Sequence, residues 1–355
     1  MALSCDRPQK RRTLRRVPTV DADRATSLIK QQATRQVAAE WFHDGTLLER
    51  LALQHMSAFK ELTDTTAFGR LKGRRMWGSL CSGSEGAHFV VEACERALNT
   101  TASGQGNATV SDQVRFEQIF ACENDDRKRR WIEVVINSKR RSLGKEEICI
   151  FKDIKEMGQA SAACWTHGKP CPVPDCEFLF VSTSCKDLST LSHAKFSQPV
   201  LSLQTSPGGT ADTFRLGLLS YLDHHKVHVI VYENSDHLAD PAHGDGTASS
   251  QVSNYDVYLS EMTSRGFEGQ CFICNAKNFG LPQNRRRFCA VHVSVTYSIV
   301  DYASRAVTDM LATLSAFLQV CQRAFPAAES LLLSNEDEKV REELARRLAR
   351  GQYQD

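Results

Sequence analysis

Short apolar runs alternate with segments of helical periodicity through the middle of the chain. The apolar runs have the length of buried strands, and the segments between them repeat apolar residues every three or four positions. Strands are predicted at 76–81, 116–122, 148–151, 178–182, 227–232, 271–275 and 287–293, and helices at 85–98, 126–138, 210–222 and 255–264. This alternation predicts an α/β domain with a mostly parallel sheet covered by helices on both faces.

The remaining segments have different patterns. Residues 1–40 are polar and basic and predict a disordered tail, whereas residues 41–74 have the apolar spacing of a helical lead-in. Residues 299–355 predict a helical extension with an apolar stripe on its last helix. The α/β domain is therefore predicted to span residues 75–298.

Composition narrows the class of protein. With 355 residues, 41% of them hydrophobic, the chain can bury one large core. Its net charge of +2 argues against a chain that is basic throughout, but basic residues are concentrated near the N-terminus around Lys10-Arg11-Arg12. Such a run indicates a nuclear address or a phosphate-contacting arm, and the alternative is a solvated tail.

The cysteines and the lengths of the apolar runs indicate the cellular compartment of the protein. The 13 cysteines show no disulfide-framework spacing, which favours a reducing compartment. We see neither a run of about 20 apolar residues nor a secretory signal. The nucleus is the expected compartment, with the cytoplasm as the alternative, and no membrane association is expected.

Three strand ends carry groups suited to a nucleoside-containing cofactor. The first strand is followed by a small turn, Cys81-Ser82-Gly83-Ser84-Glu85-Gly86, where glycine lets the backbone approach a ligand. Glu123-Asn124 follows the second strand, and an acid there can accept hydrogen bonds from ribose hydroxyls, or else cap the next helix. Asp153-Ile154 follows the third strand, where the acid could contact an adenine amine or simply lie at the surface.

The later strand ends carry reactive groups. Cys185 lies just past a strand in a polar loop, as a nucleophile would, and Lys186 beside it would stabilise a thiolate; the alternative is a buried structural thiol. Glu233 ends an apolar strand, so it either does proton chemistry or pairs with an arginine. Arg285 and Arg287 are two apart and could contact one group together, or form a solvated basic loop.

Two cysteine groups raise the question of a metal. Cys164, His167, Cys171 and Cys176 form a candidate Cys3His set, but their spacing matches no standard zinc finger. The prediction is that no metal binds, because free thiols in a proline-rich loop are the favoured explanation for these residues. Cys271 and Cys274 are three apart on a predicted strand, so they should face opposite ways and share no metal.

The order of these motifs resembles the blocks of the C5-cytosine-specific DNA methyltransferases. The matching segments, within about residues 76–295, are LCSGSEGAHF, ACEND, KDI, FLFVSTSCKDLS, VYENS and NFGLPQNRRRFCAV. The resemblance implies a Rossmann-like methyltransferase with a seven-stranded sheet and S-adenosylmethionine as its cofactor. It implies a nucleic-acid substrate, with DNA favoured over RNA.

The resemblance also implies roles for individual residues. Cys185 would attack C6 of cytosine, and Glu233 would hold the N3/N4 edge of the base. Arg285 and Arg287 would steady the base or the loop. S-adenosylmethionine would be held by the turn Cys81–Gly86, by Glu123 with Asn124, and by Asp153 with Ile154. In duplex DNA the base would have to be flipped out.

The chain departs from the family pattern at specific positions. Ser184 replaces the proline before the nucleophile, and Ser79 and Cys81 replace an acid and an aromatic residue near the first turn. Glu85 replaces a glycine, and its carboxylate would repel the carboxyl end of the cofactor unless it turns away.

Several alternatives stay open at this stage. About sixty residues follow the arginine block, without a recognisable target-recognition region or closing block. The chain could be a compact catalytic core, a subunit whose protein partner supplies target recognition, or a silent scaffold that binds nucleic acid. An RNA methyltransferase is the rival within the same chemistry. A nicotinamide dehydrogenase would leave Cys185 and the arginines without a role.

Overall fold

The computed structural model describes residues 73–103, 113–188, 202–205, 209–239, 252–279 and 284–296, together with 341–342 and 345–346. The predicted basic tail, the helical lead-in up to residue 72 and most of the predicted C-terminal extension lie outside the described residues. The description below therefore concerns the α/β domain.

Seven strands form one sheet, and two more form a separate hairpin. In chain order they are β1 (Gly73–Leu80), β2 (Val114–Cys122), β3 (Cys149–Phe151), β4 (Ser161–Ala163), β5 (Pro170–Pro172), β6 (Cys176–Val181), β7 (Val227–Ser235), β8 (Phe267–Asn275) and β9 (Arg286–Ser294). The sheet order is β3-β2-β1-β6-β7-β9-β8. Strand β9 runs antiparallel to β7 and β8, and the other six strands of the sheet run in one direction. The predicted seven-stranded, mostly parallel sheet is confirmed.

Helices connect the strands as the periodicity predicts. They are α1 (Gly86–Ser103), α2 (Asp126–Ile132), α3 (Ser138–Ser142), α4 (Ser202–Thr205), α5 (Ser220–His224) and α6 (Asn254–Ser264). A π-helical turn, Glu133–Asn137, joins α2 to α3, and a π-helical segment, Asp212–Leu219, leads into α5. The predicted helix 126–138 therefore continues to Ser142. No helix in the described part of the chain has the length and apolarity needed to cross a membrane.

The central strands are buried on both faces, which is why they are almost continuously apolar. Phe120, Leu179 and Ile230 are completely buried in the main core cluster. A parallel sheet covered by helices on both faces requires this composition. Gly78 on β1 leaves room for the ring of Phe120, which a Cβ at that position would overlap.

The hairpin β4–β5 was not predicted from the sequence, which indicated only a proline-rich loop. Each strand has three residues, too few for a period of two to be recognised. The hairpin is attached to β3, because Trp165 N donates to Ile150 O at 2.7 Å and Cys164 forms a bridge with Phe151.

The sheet order decides which loops meet. The carboxyl ends of β1, β2, β3, β6 and β7 lie at one edge, and the order reverses direction between β1 and β6, the usual ligand position in such sheets. Because β9 is antiparallel, its first residues lie at this same edge. Arg287 is therefore brought to the ends of the parallel strands.

Candidate active site

The turn after β1 has an unusual backbone. Cys81 and Glu85 have φ angles of 55° and 59°, a left-handed conformation that L-residues other than glycine adopt at a cost of roughly 1–2 kcal/mol each. The turn is held against β2 by Ser82, whose N donates to Cys122 O at 3.0 Å. The hydroxyl of Ser82 in turn accepts from Cys122 N at 3.1 Å.

Glu85 points into the domain. Its side chain accepts a hydrogen bond from Ser79 Oγ at 2.5 Å and another from Gln118 Nε2. Only 1% of the residue is exposed, and this burial raises the pKa of its carboxyl to about 7. The repulsion expected from a carboxylate at this position is therefore avoided, because the group is bound between β1 and β2.

Glu123 connects the ends of β1 and β2. Its Oε2 accepts from Gly83 N at 2.7 Å, and its Oε1 accepts from Asp125 N at 2.9 Å. The capping alternative does not apply to Glu123, since Asp125 caps α2 by accepting from Arg127 N and Lys128 N. Glu123 is thus a buried, fixed acid beside the glycine turn.

The space above the glycine turn is open. A Cβ added at Gly83 or at Gly86 would meet no atom within 4 Å. Cys81 lies half-buried below it, and burial raises the pKa of its thiol to about 12, so the thiol is uncharged at neutral pH. The open turn leaves room for a ligand, and the neutral thiol of Cys81 does not repel a ligand carboxylate. The carboxylate of Glu123 can accept hydrogen bonds from ligand hydroxyls.

The end of β3 contributes one further acid to the same edge. Asp153 caps a short 3₁₀ turn by accepting from Lys155 N at 3.0 Å, and its side chain stays partly exposed. Ile154 is buried, with its side chain directed at Gly217. Asn124 is exposed at the end of β2. The structure therefore brings Asp153 to the edge, while the Ile154 side chain packs in the core.

Cys185 lies in an exposed turn beyond β6. Leu188 N donates to Cys185 O at 3.0 Å and closes the turn. Two contacts attach it to the chain before α5: Ser184 N donates to Thr213 Oγ1 at 3.0 Å, and Thr210 N donates to Asp187 Oδ2 at 2.8 Å. The thiol is accessible while its backbone is held.

A buried network supports this turn from β7. Asn234 Nδ2 donates to the carbonyl oxygen of Thr183 at 3.1 Å and to its Oγ1 at 2.9 Å, and Thr183 Oγ1 lies 2.7 Å from Tyr232 Oη. Sequence reasoning did not assign these three residues. The available signal was Asn234, an amide directly after the acid Glu233 at the end of β7. Once β6 is known to be the neighbouring strand, this position indicates a buried hydrogen-bonding role for the amide.

Glu233 pairs with Arg287. Its Oε1 lies 2.9 Å from Arg287 Nε, and its Oε2 accepts from Ser182 Oγ at 2.5 Å. The pairing follows from register, because Arg287 is opposite Ser235 and therefore diagonal to Glu233 on the same face. Of the two readings of Glu233, the ion pair is the one present. Arg287 is 30% exposed and Glu233 38% exposed, so a substrate can reach both.

The two predicted arginines have different surroundings in the described structure. Arg285 precedes β9 and is exposed, and its guanidinium has no partner among the described residues. Arg286 on the opposite face lies 3.3 Å from Asp236. Of the two, only Arg287 lies within the paired strand, and a joint contact with one bound group stays a prediction.

The proposed Cys3His set is wrong in one member. Cys176 is buried on β6, where Tyr221 Oη donates to its sulfur at 3.6 Å. Cys149 takes its place beside Cys164, His167 and Cys171. Proximity in sequence misled the prediction, since the hairpin folds back onto β3.

The opposite orientation of Cys271 and Cys274 is confirmed. Cys271 contacts Tyr255 of α6, whereas Cys274 contacts Cys289 of β9. The two thiols therefore share no site.

Comparison with known families decides the assignment. The family described as C-5 cytosine-specific DNA methylase matches residues 113–310, more than half of the 355 residues. The chain belongs to this family. The match includes β2, β3, β6, β7 and β9 but begins after the turn that contains Glu85. The resemblance predicted from the motifs is confirmed, and no curated protein matches the chain.

Several solved structures are similar at low identity. They are Dnmt2 methyltransferase of S. pombe (13% identity, TM-score 0.36, 67% of this chain and 55% of that one), DNMT2 of Spodoptera frugiperda (14%, 0.35, 63% and 51%) and the methyltransferase EhMeth of Entamoeba histolytica (13%, 0.33, 62% and 53%). The chain spans about half the length of each. Family membership rests on the match over residues 113–310.

S-adenosylmethionine is the cofactor of this family, and the first three strand ends fit it. The open glycine turn leaves room for a ligand, and Glu123 and Asp153 are acids at adjacent strand ends. Glu85, the residue that conflicted with this cofactor, is turned inward.

Proposed function

We propose that the chain transfers a methyl group from S-adenosylmethionine to C5 of cytosine in DNA, through a covalent bond between Cys185 and C6 of the base. The observation that supports the proposal best is the position of Cys185. Its thiol is exposed in a turn fixed by its neighbours, at the edge where Glu233 and Arg287 also lie.

Cys185 is the proposed nucleophile. C5 of cytosine does not attack a methyl group readily, and addition of a thiolate to C6 moves electron density to C5. An attacking sulfur must be accessible and correctly placed. The bonds of Ser184 to Thr213 and of Asp187 to Thr210 would restrict the turn, so that the sulfur approaches the base in one orientation.

Glu233 is the proposed partner of the base edge. Its carboxylate would accept a hydrogen bond from the N4 amine and favour protonation of N3 while Cys185 is attached. Arg287 orients this carboxylate by its contact at 2.9 Å. Elimination of the Cys185 sulfur, after loss of the C5 proton, restores the aromatic ring.

The residues of the first three strand ends are the proposed cofactor site. When bound, S-adenosylmethionine supplies an electrophilic methyl group. Glu123 would accept from the ribose hydroxyls with the lone pairs that Gly83 and Asp125 leave free. Asp153 would contact the adenine amine, and Cys81, Ser82 and Gly86 would line the turn, with Asn124 and the backbone of Ile154 at its margin.

DNA is the proposed substrate because the matching family is described as a DNA methylase. The nucleus is the corresponding compartment, supported by the basic run around Lys10-Arg11-Arg12. Recognition of the target sequence by a partner protein is a further part of this proposal.

Trapping of the covalent intermediate tests the proposal. The purified chain is mixed with S-adenosylmethionine and a DNA duplex containing 5-fluorocytosine, whose fluorine blocks the final elimination. We expect an adduct that survives denaturation and that peptide mass spectrometry places on Cys185. Cys185→Ala should form none, whereas Cys94→Ala, a cysteine substitution on α1, should behave as the unsubstituted chain.

Parallel reactions with transfer RNA that contains 5-fluorocytosine, and with a duplex that contains only ordinary cytosine, separate the alternatives. An adduct on transfer RNA alone would overturn DNA as the substrate but keep Cys185 as the nucleophile. Adduct formation by Cys185→Ala would overturn the mechanism. A chain that binds S-adenosylmethionine yet forms no adduct on either nucleic acid would overturn the proposed activity.

A further inference from the structure

We propose that Cys149, Cys164, His167 and Cys171 form a structural zinc site that joins β3 to the hairpin β4–β5. The inference does not depend on the proposed methyl transfer. It rests on the positions of four side chains that come together from β3, from β5 and from the turn between β4 and β5.

The distances among the four ligand atoms are those of a tetrahedral site. The sulfurs of Cys149, Cys164 and Cys171 lie 3.6, 3.3 and 3.4 Å from Nδ1 of His167. All four atoms lie within 4.8 Å of one another. In tetrahedral zinc with Zn–S of about 2.3 Å and Zn–N of about 2.0–2.1 Å, the sulfur–nitrogen edge is about 3.6 Å.

Hydrogen bonding among free thiols accounts poorly for this arrangement. A single imidazole nitrogen has one hydrogen or one lone pair to offer, so it can bond fully to only one of the three sulfurs. Three sulfurs around one nitrogen are expected if a cation lies between them. Three thiols and one imidazole form a soft donor set, which favours zinc over magnesium or calcium.

The backbone holds the ligands before any metal binds. Gly168, between His167 and Cys171, has φ of 65° and allows the tight turn that directs both ligands inward. Thr166 attaches this turn to β3, since its Oγ1 donates to Ile148 O at 3.1 Å and accepts from Ile150 N at 3.2 Å. The turn is therefore fixed to the strand that carries Cys149.

Four protein ligands define a closed site, which leaves no position for a reacting water and indicates a structural role. Zinc binding would convert the three thiols to thiolates and release their protons to solvent, while His167 binds in its neutral form. The chain between Cys149 and Cys164 includes Asp153 and the 3₁₀ turn that it caps. The metal would thus fix the segment that carries the third strand-end acid.

Metal analysis of the full chain tests the site. The protein is prepared without a histidine tag, incubated with Zn²⁺ under reducing conditions, desalted and measured by mass spectrometry for metals. We expect one zinc per chain. Cys149→Ser and Cys171→Ser should lose it, whereas Cys176→Ala, which removes the buried thiol outside the set, should retain it.

The unsubstituted chain gives a second measurement, which does not depend on the folding of any variant. Replacement by Co²⁺ should give intense thiolate-to-metal charge-transfer absorption and the visible bands of tetrahedral cobalt. A folded chain that retains no zinc and shows no such absorption would overturn the proposal. So would zinc kept by Cys149→Ser but lost by Cys176→Ala.

Discussion

The two loops at the centre of the candidate site are stabilised in different ways. The turn after β1 has two residues other than glycine in left-handed conformations, and one of them, Glu85, has a buried carboxyl. The turn after β6 has no positive φ at any residue of its described part and is held by hydrogen bonds from both sides. Both lie at carboxyl ends of adjacent strands.

The difference shows which substitutions relative to the family pattern the fold compensates by new contacts. Around Cys185, where the family's proline is replaced by Ser184, contacts from Thr213, Thr210 and Asn234 hold the turn. Around Gly83, replacement of glycine by Glu85 costs backbone strain and leaves Glu85 Oε2 without a partner in the described structure. Four substitutions separate the contributions of the two loops.

The largest effect on activity is expected at the turn after β6. Cys185→Ala should lower turnover by at least about 10³-fold, because removal of a nucleophile abolishes the covalent route. The affinity for S-adenosylmethionine should stay unchanged in calorimetry, since the thiol contacts the base. Cys94→Ala is the matched control. Normal turnover in Cys185→Ala would show that the two loops do not divide base and cofactor as proposed.

Arg287→Ala should lower kcat/KM by about 10²-fold, because Glu233 loses the cation that orients it. Stability should fall by only about 0–1 kcal/mol, as expected for a partly exposed ion pair. Arg286→Ala, which removes the neighbouring contact with Asp236, serves as the control in the same kinetic and thermal unfolding measurements. Equal kinetic losses in both variants would contradict a specific role for Arg287.

At the first loop, Glu123→Ala should weaken binding of S-adenosylmethionine by about 10- to 100-fold, the effect of removing a charged acceptor. Asp125→Ala removes the cap of α2 instead and should lower the stability while leaving the affinity unchanged. Calorimetric titration distinguishes the two variants. An unchanged affinity in Glu123→Ala would remove this residue from the cofactor site.

The smallest effect is expected from Glu85→Gln and concerns pH. Burial raises the pKa of Glu85 from 4.5 in the unfolded chain to about 7, so between these values the folded state binds more protons than the unfolded state. Its contribution to stability is complete below pH 4.5 and is lost as pH rises through 7. Glu85→Gln should remove this loss and stabilise the chain at pH 8 by on the order of 1 kcal/mol.

Denaturant unfolding of both chains at pH 5 and pH 8 measures this effect. If the stability difference between Glu85→Gln and the unsubstituted chain is the same at both pH values, Glu85 does not titrate in this range.

The alternation of apolar runs and helical segments determined the α/β class, the order of its strands and helices, and the seven-stranded sheet. It also placed Glu123, Asp153, Cys185 and Glu233 at strand ends, because a buried strand must stop where polar residues begin. These features follow from local periodicity and from the need to cover both faces of a parallel sheet. Both can be read from the order of residues alone. The family motifs added the chemistry expected at those ends.

The tertiary structure decided which side chains meet. Strand register paired Arg287 with Glu233 and left Arg285 exposed, and antiparallel β9 brought that arginine to the correct edge. The hairpin placed Cys149, and not Cys176, beside Cys164 and His167. These outcomes depend on contacts between residues far apart in the chain, whose register and direction no local pattern contains.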